Sequence, residues 1–168
     1  MALLIIGCGN LDRGDDAVGV LVVRRLQALG IKNLGVEVIE QSGESFSLMD
    51  SWTGREHVIL VDATAPSGTP GQVRLWNARA DRLPDVLPSS THAFGVREAV
   101  ELARVMNCLP QTLVVYGIEG RHSFLGSLPS REVKRAVVSV AERLVMQVSG
   151  QLVQTPQDLR QRRGFAHK

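Results

Sequence analysis

At 168 residues the chain has the length of one domain, and a domain of that size buries roughly 70% of its unfolded surface without help from disulfides or a structural metal. The two cysteines, Cys8 and Cys108, show no CxxC or zinc-ligand spacing, no apolar run approaches the roughly 20 residues of a membrane span, and the start MALLIIG lacks a basic n-region and a cleavage site. The formal charge of +2 belongs to the end of the chain, where Arg160, Arg162, Arg163 and Lys168 face Asp158 alone, so the rest carries no nucleic-acid footprint.

These features predict a soluble, unexported, cytoplasmic protein with no nucleic-acid or membrane partner. Both cysteines are expected to be small buried apolar residues. The predicted organisation is one globular domain over residues 1–149, followed by a basic, flexible tail over 150–168 rich in Gln, Arg and Pro.

Leu3 to Ile6 is a continuous apolar run suited to a central strand buried on both faces, and Gly7-Cys8-Gly9-Asn10 turns the chain at its end. Asp15 and Asp16 then stand directly before Ala17, Val18, Val20, Leu21 and Leu26, which are spaced as the buried stripe of a helix. One aspartate there can cap the helix. A cap needs only one acid, whereas this loop has Asp12, Asp15 and Asp16, which would repel a pyrophosphate and attract a cation.

Gly30 reads as a helix C-cap, and Val36, Val38 and Ile39 as a second strand. Glu44 to Trp52 has room for a short helix with Phe46, Leu48, Met49 and Trp52 as packing residues. His57 to Asp62 is a strand closed by a carboxylate, with a loop from Ala63 to Gly68 behind it. Gln72 to Trp76 alternates as an edge strand, and Asn77 to Ser90 reads as surface loop.

Thr91-His92 precede a helix packed through Phe94, Val96, Ala99, Val100, Ala103, Val105 and Met106, and Pro110 follows its end. Leu113 to Tyr116 is a further buried strand, with Tyr116 in the core and Gly117 to Pro129 as loop. Ser130 caps a last helix whose stripe is Val133, Ala136, Val137, Val140, Ala141 and Leu144. Strands alternating with helices predict a three-layer α/β/α sandwich about a mainly parallel sheet, with its site at the carboxyl ends of the strands.

Three candidate metal ligands fall at loops on that edge: Asp16 after the first strand, Asp62 closing the third, and His92 before the third helix. Two carboxylates and one imidazole suit a divalent transition metal. His57 belongs to the opposite edge, His122 and Glu119 are candidates for the rim, and His167 is in the tail. No serine sits in GxSxG and neither cysteine has an evident base, so nucleophilic hydrolysis has little support. A Rossmann-type nucleotide enzyme is one alternative, with Gly7-x-Gly9 after a strand and Glu40 for a ribose, but the third glycine is missing.

GCGNLDRGDDAVGV resembles the first motif of the [NiFe]-hydrogenase maturation endopeptidases, ILVDA their second, STHAFGVREAVELA their histidine segment, and YGIEG a further family segment, together covering residues 3 to about 145. The resemblance implies a phosphorylase/hydrolase-like fold with a five-stranded sheet of order 2-1-3-5-4, strand 4 antiparallel. It also implies a metal-dependent endopeptidase that removes the C-terminal extension of the hydrogenase large-subunit precursor after nickel insertion. The implied metal-binding and catalytic positions are Asp16, Asp62 and His92, with nickel carried by the precursor and zinc or cadmium as substitutes. Some members have glutamate at the first position, so Asp16 reaches one methylene less far. The expected partner is the precursor and the expected state a monomer; a non-catalytic metal chaperone using the same three ligands is the other alternative.

Overall fold

A computed structural model describes residues 3–85 and 95–150. Its five strands are β1 (Leu3–Cys8), β2 (Glu37–Gln41), β3 (His57–Thr64), β4 (Val73–Asn77) and β5 (Thr112–Glu119). Four helices accompany them: α1 (Val18–Ala28), α2 (Ser45–Trp52), α3 (Val96–Val105) and α4 (Arg131–Val148). The sheet order is β2-β1-β3-β5-β4, with β4 antiparallel to β5 and every other pairing parallel, as the resemblance implies.

Alternation along each central strand divides the core in two. Leu4, Ile6 and Cys8 of β1, Val58 and Leu60 of β3, and Leu113 and Val115 of β5 pack against Leu48 and Trp52 of α2 and Val96, Ala99, Val100 and Ala103 of α3. Ile5, Ile59, Val61, Tyr116 and Ile118 point the other way, against Val22, Val23 and Leu26 of α1 and the predicted stripe of α4. Ser130 caps α4 as expected, its hydroxyl accepting from the Val133 N–H.

Two glycines let α1 lie directly on the sheet. A Cβ on Gly7 would stand 2.1 Å from the Gly19 carbonyl oxygen, and one on Gly19 would stand 2.2 Å from the Val61 oxygen and 2.3 Å from the Cys8 oxygen. Backbone is packed on backbone here, so no side-chain rotamer can make room.

Several expectations change in three dimensions. β3 continues past Asp62 to Thr64, and β5 past Tyr116 to Glu119, because the two strands pair over that whole length, Asp62 opposite Gly117 and Thr64 opposite Glu119. Helix α1 begins at Val18 without a side-chain cap, since residues Gly14–Ala17 form a separate 3-10 turn before it. Phe46, Val105 and Met106 are exposed rather than packed, and Cys108 is exposed while Cys8 is buried. Ala78 and Leu83, in the stretch expected to be surface loop, are buried against the α2/α3 side. Thr91, His92, Phe94, residues 86–90 and the tail from 151 lie outside the described residues.

Glu119 is the largest departure, because it does not line a rim. It is the last residue of β5, 0% exposed, and it organises the β3–β4 connection. Its carboxylate accepts the Ser67 hydroxyl at 2.6 Å and the N–H groups of Ser67 and Thr69, both at 2.7 Å, with the Arg74 guanidinium 3.5 Å away. The Ser67 hydroxyl, opposed by burial and helped by the two N–H groups and Arg74, pulls the Glu119 carboxyl down to about 2.

Two expectations follow. Gly19→Ala should destabilise the protein by about 3 kcal/mol, read from the midpoint of urea unfolding, because the added methyl meets main chain. A depressed carboxyl stabilises the fold above its ordinary pH of about 4.5 and loses that contribution as pH falls through about 2. Glu119→Gln should therefore melt below the wild type at pH 7, with the gap closing between pH 4.5 and 2.

Candidate functional site

The carboxyl ends of β1 and β3 meet side by side, with Gly7 opposite Val61, and the chain then builds an acidic turn over them. Gly9 has φ +145°, a backbone conformation suited to glycine, and a Cβ there would lie 1.8 Å from the Asp16 carbonyl oxygen. The Gly9 N–H donates to Gln41, and the Asn10 N–H to that same Asp16 oxygen at 3.3 Å. The chain's own acidic turn fills the place where a Rossmann glycine loop would cradle a pyrophosphate, which removes the physical basis for the nucleotide alternative.

The adjacent acids of this turn do different work. Asp15 is 1% exposed, and its carboxylate accepts the backbone N–H groups of Arg121 at 2.7 Å, His122 at 3.4 Å and Ser130 at 2.6 Å. Burial raises its pKa, but the N–H groups of Arg121 and Ser130, the Ser130 hydroxyl and the His122 N–H outweigh it, so the net shift is downward. Asp15 is thus a carboxylate consumed by structure, tying the acidic turn to the loop between β5 and α4. In the sequence Asp15 has no role beyond a possible helix cap, and nothing local reveals its structural one, since its partners lie more than a hundred residues away.

Asp16 is partly exposed and lines a cavity of about 130 Å³ together with Ala63, Thr64, Pro66, Gly120, His122 and Ser123. His122, expected only at the rim, therefore shares the cavity with Asp16, and its buried Nδ1 has no hydrogen-bond partner. Asp62 stands beside Asp16 but deeper, 8% exposed on β3, with its Oδ1 accepting the Ala63 N–H at 2.8 Å. Burial, and then the negative charge of Asp16, push the Asp62 carboxyl up to about 8, while the Ala63 N–H pulls weakly the other way.

The Cys8 thiol feels the same surroundings. Burial raises its pKa well above the ordinary thiol value, and Asp62 and then Asp16 raise it further, so it is held protonated and is a poor nucleophile. Asp62 continues the side of β3 that carries Val58 and Leu60, as Cys8 continues that of Leu4 and Ile6, so both belong to the side covered by α2 and α3.

Of the three predicted ligands, Asp16 and Asp62 lie within electrostatic reach of one another, and His92 falls outside the described residues. Among the described residues there is no cluster of three metal-ligating side chains. Gly95, three residues after His92, caps α3 and accepts a hydrogen bond from the Ser45 hydroxyl at the start of α2. His57 lies at the opposite end of β3, against the Thr112 hydroxyl. A cation within reach of both carboxyls would replace the proton that Asp62, nearly dry on β3, retains.

The chain is similar in sequence and fold to known proteins. The sequence profile of the hydrogenase maturation proteases matches residues 20–147. The hydrogenase 2 maturation protease of Escherichia coli is 26% identical over 137 residues, 79% of this chain and 82% of that protein. A [NiFe] hydrogenase maturation protease from Thermococcus kodakarensis superposes with a TM-score of 0.69 at 27% identity, covering 88% of this chain and 92% of that one. A hydrogenase-maturating endopeptidase of Escherichia coli shares the fold with a TM-score of 0.70 at 20% identity, covering 89% and 94%. With a family profile matching residues 20–147 and the 2-1-3-5-4 sheet shared with these proteases, the chain belongs to the hydrogenase maturation protease family.

Proposed function

We propose that this protease removes the C-terminal extension of a [NiFe]-hydrogenase large-subunit precursor after nickel has been inserted, in the cytoplasm, with the precursor's nickel recognised by Asp16, Asp62 and His92. The observation that carries this reading is the Asp62 carboxyl, nearly dry beside a second carboxylate and still protonated near neutral pH. An apolar residue would pack there at less cost. A buried acid beside another acid is explained if a cation completes the pair.

His92 is the third ligand in this reading. Three residues of extended chain span at most about 10 Å, and Gly95 is anchored to Ser45 at the start of α2, on the sheet side to which Asp62 belongs. Nickel is part of the substrate here. A divalent ion polarises a neighbouring carbonyl and acidifies bound water, and hydrolysis adds that water across the amide to leave a carboxylate and an amine. In this reading the chain's own residues would grip the ion and hold the peptide bond against the crevice, and an aspartate oxygen left off the metal would take the proton of the attacking water.

Purified protein mixed with nickel-loaded precursor should shorten it at the C-terminus, read by intact-mass spectrometry, while nickel-free precursor keeps its mass. Equal cleavage of both would remove the metal gate. An unchanged mass in both would favour a metal chaperone.

Asp62→Asn separates function from stability. It should lower cleavage by more than about 100-fold, since even outer partners of a metal ion cost 10–100-fold. A raised carboxyl costs stability progressively as pH climbs from its ordinary value of 3.8 through about 8. The variant, without nickel, should therefore melt above the wild type, with a larger difference at pH 9 than at pH 6. A variant that melts lower at both pH values would contradict this account of Asp62.

A further inference from the structure

Apart from the carboxylate pair, the most deliberately held feature of the surface is the loop from Arg121 to Pro129, and its tip is apolar. Phe124, Leu125 and Leu128 are 64%, 71% and 77% exposed. Leu11, also exposed, is next to Asp12, whose carbonyl accepts the Gly126 N–H at 2.7 Å. Three large apolar side chains exposed on one short loop, with a fourth next to the residue that anchors its tip, are unfavourable in water unless something covers them.

The exposure does not come from a slack loop. Gly14 donates to the Ser127 carbonyl and Asp15 to the His122 carbonyl, both at 3.0 Å, while the Ser127 hydroxyl donates to the Phe124 carbonyl at 2.6 Å. The Asp15 carboxylate holds the start and end of the loop, and the Phe124 ring lies 5.0 Å from the His122 ring, centroid to centroid. The apolar tip is fixed before any partner arrives, so binding to it costs little ordering. It is also continuous with the cavity, because His122 and Ser123 line that space with Asp16.

We propose that Phe124, Leu125 and Leu128, with Leu11 beside them, form the docking surface for an apolar stretch of the polypeptide being cleaved, next to the bond that breaks. This rests on the proteolytic reading above. A second copy of the chain is the competing occupant, but the loop that carries the patch also lines the Asp16 cavity through His122 and Ser123, which favours a segment bound for that cavity.

The test uses full-length protein carrying Phe124→Ser, or Leu125→Ser with Leu128→Ser, and nickel-loaded large-subunit precursor. Circular dichroism and melting should match the wild type, since these side chains are in solvent. KM should rise about tenfold or more, as for the loss of an interface anchor, with kcat nearly unchanged. Leu125→Met with Leu128→Met should restore the wild-type KM. Unchanged KM in both serine variants overturns the proposal, and unchanged KM with loss of self-association on size exclusion assigns the patch to a second copy. If the wild type itself fails to shorten the precursor, the proteolytic reading fails. Calorimetric binding of precursor to wild type and variants then decides the docking surface separately, equal affinities overturning it.

Discussion

The site depends on one carboxylate that takes no part in its chemistry. Asp15 gathers N–H groups from both ends of the β5–α4 loop, and that loop and the acidic turn together wall the cavity. Without it, each N–H group would have to find water in a place that excludes water, and the two loops would lose their common anchor. The geometry of Asp16 is a by-product of this attachment. Its neighbour is pinned on one side, and its own carbonyl rests against Gly9 on the other.

Asp15 in the acidic turn and Asp62 on β3 have thus been driven in opposite directions. Asp15 is surrounded by donors and kept charged, whereas Asp62, which shares its environment with Asp16, has one donor and a like charge, and keeps its proton. The difference comes from the N–H groups and the Ser130 hydroxyl that Asp15 collects and from the like charge of Asp16 acting on Asp62, because burial alone would raise both. A carboxylate satisfied by backbone is structural. One that burial and a neighbouring acid leave frustrated is available to a ligand.

Much of this was visible in the chain. The runs of β1 and β3 and the stripe of α4 announce themselves because strands buried on two faces and helices buried on one leave unambiguous periods. The edge on which Asp16 and Asp62 meet followed from their positions after strands. What was hidden depends on distant partners. β3 outlasts Asp62 because β5 runs alongside it to Glu119, so the length of one strand is set by another fifty residues away. The same distance concealed Glu119, which reads locally as a rim acid and is in fact the anchor of the Ser67–Thr69 turn. Phe46, Val105 and Met106 read as packing residues but face solvent, because an apolar residue in a short helix or at a helix end shows its type and not the side it faces.

Because the β5–α4 loop is held through main-chain groups, its shape does not depend on which side chains it carries at positions 124, 125 and 128. Foundation and rim therefore carry different physical constraints. Gly7, Gly19 and Asp15 have almost no freedom to change, while the tip can drift through sequence space with little penalty in folding. A scaffold divided in this way allows duplicated copies to diverge in what they recognise while inheriting the same acidic cleft unchanged.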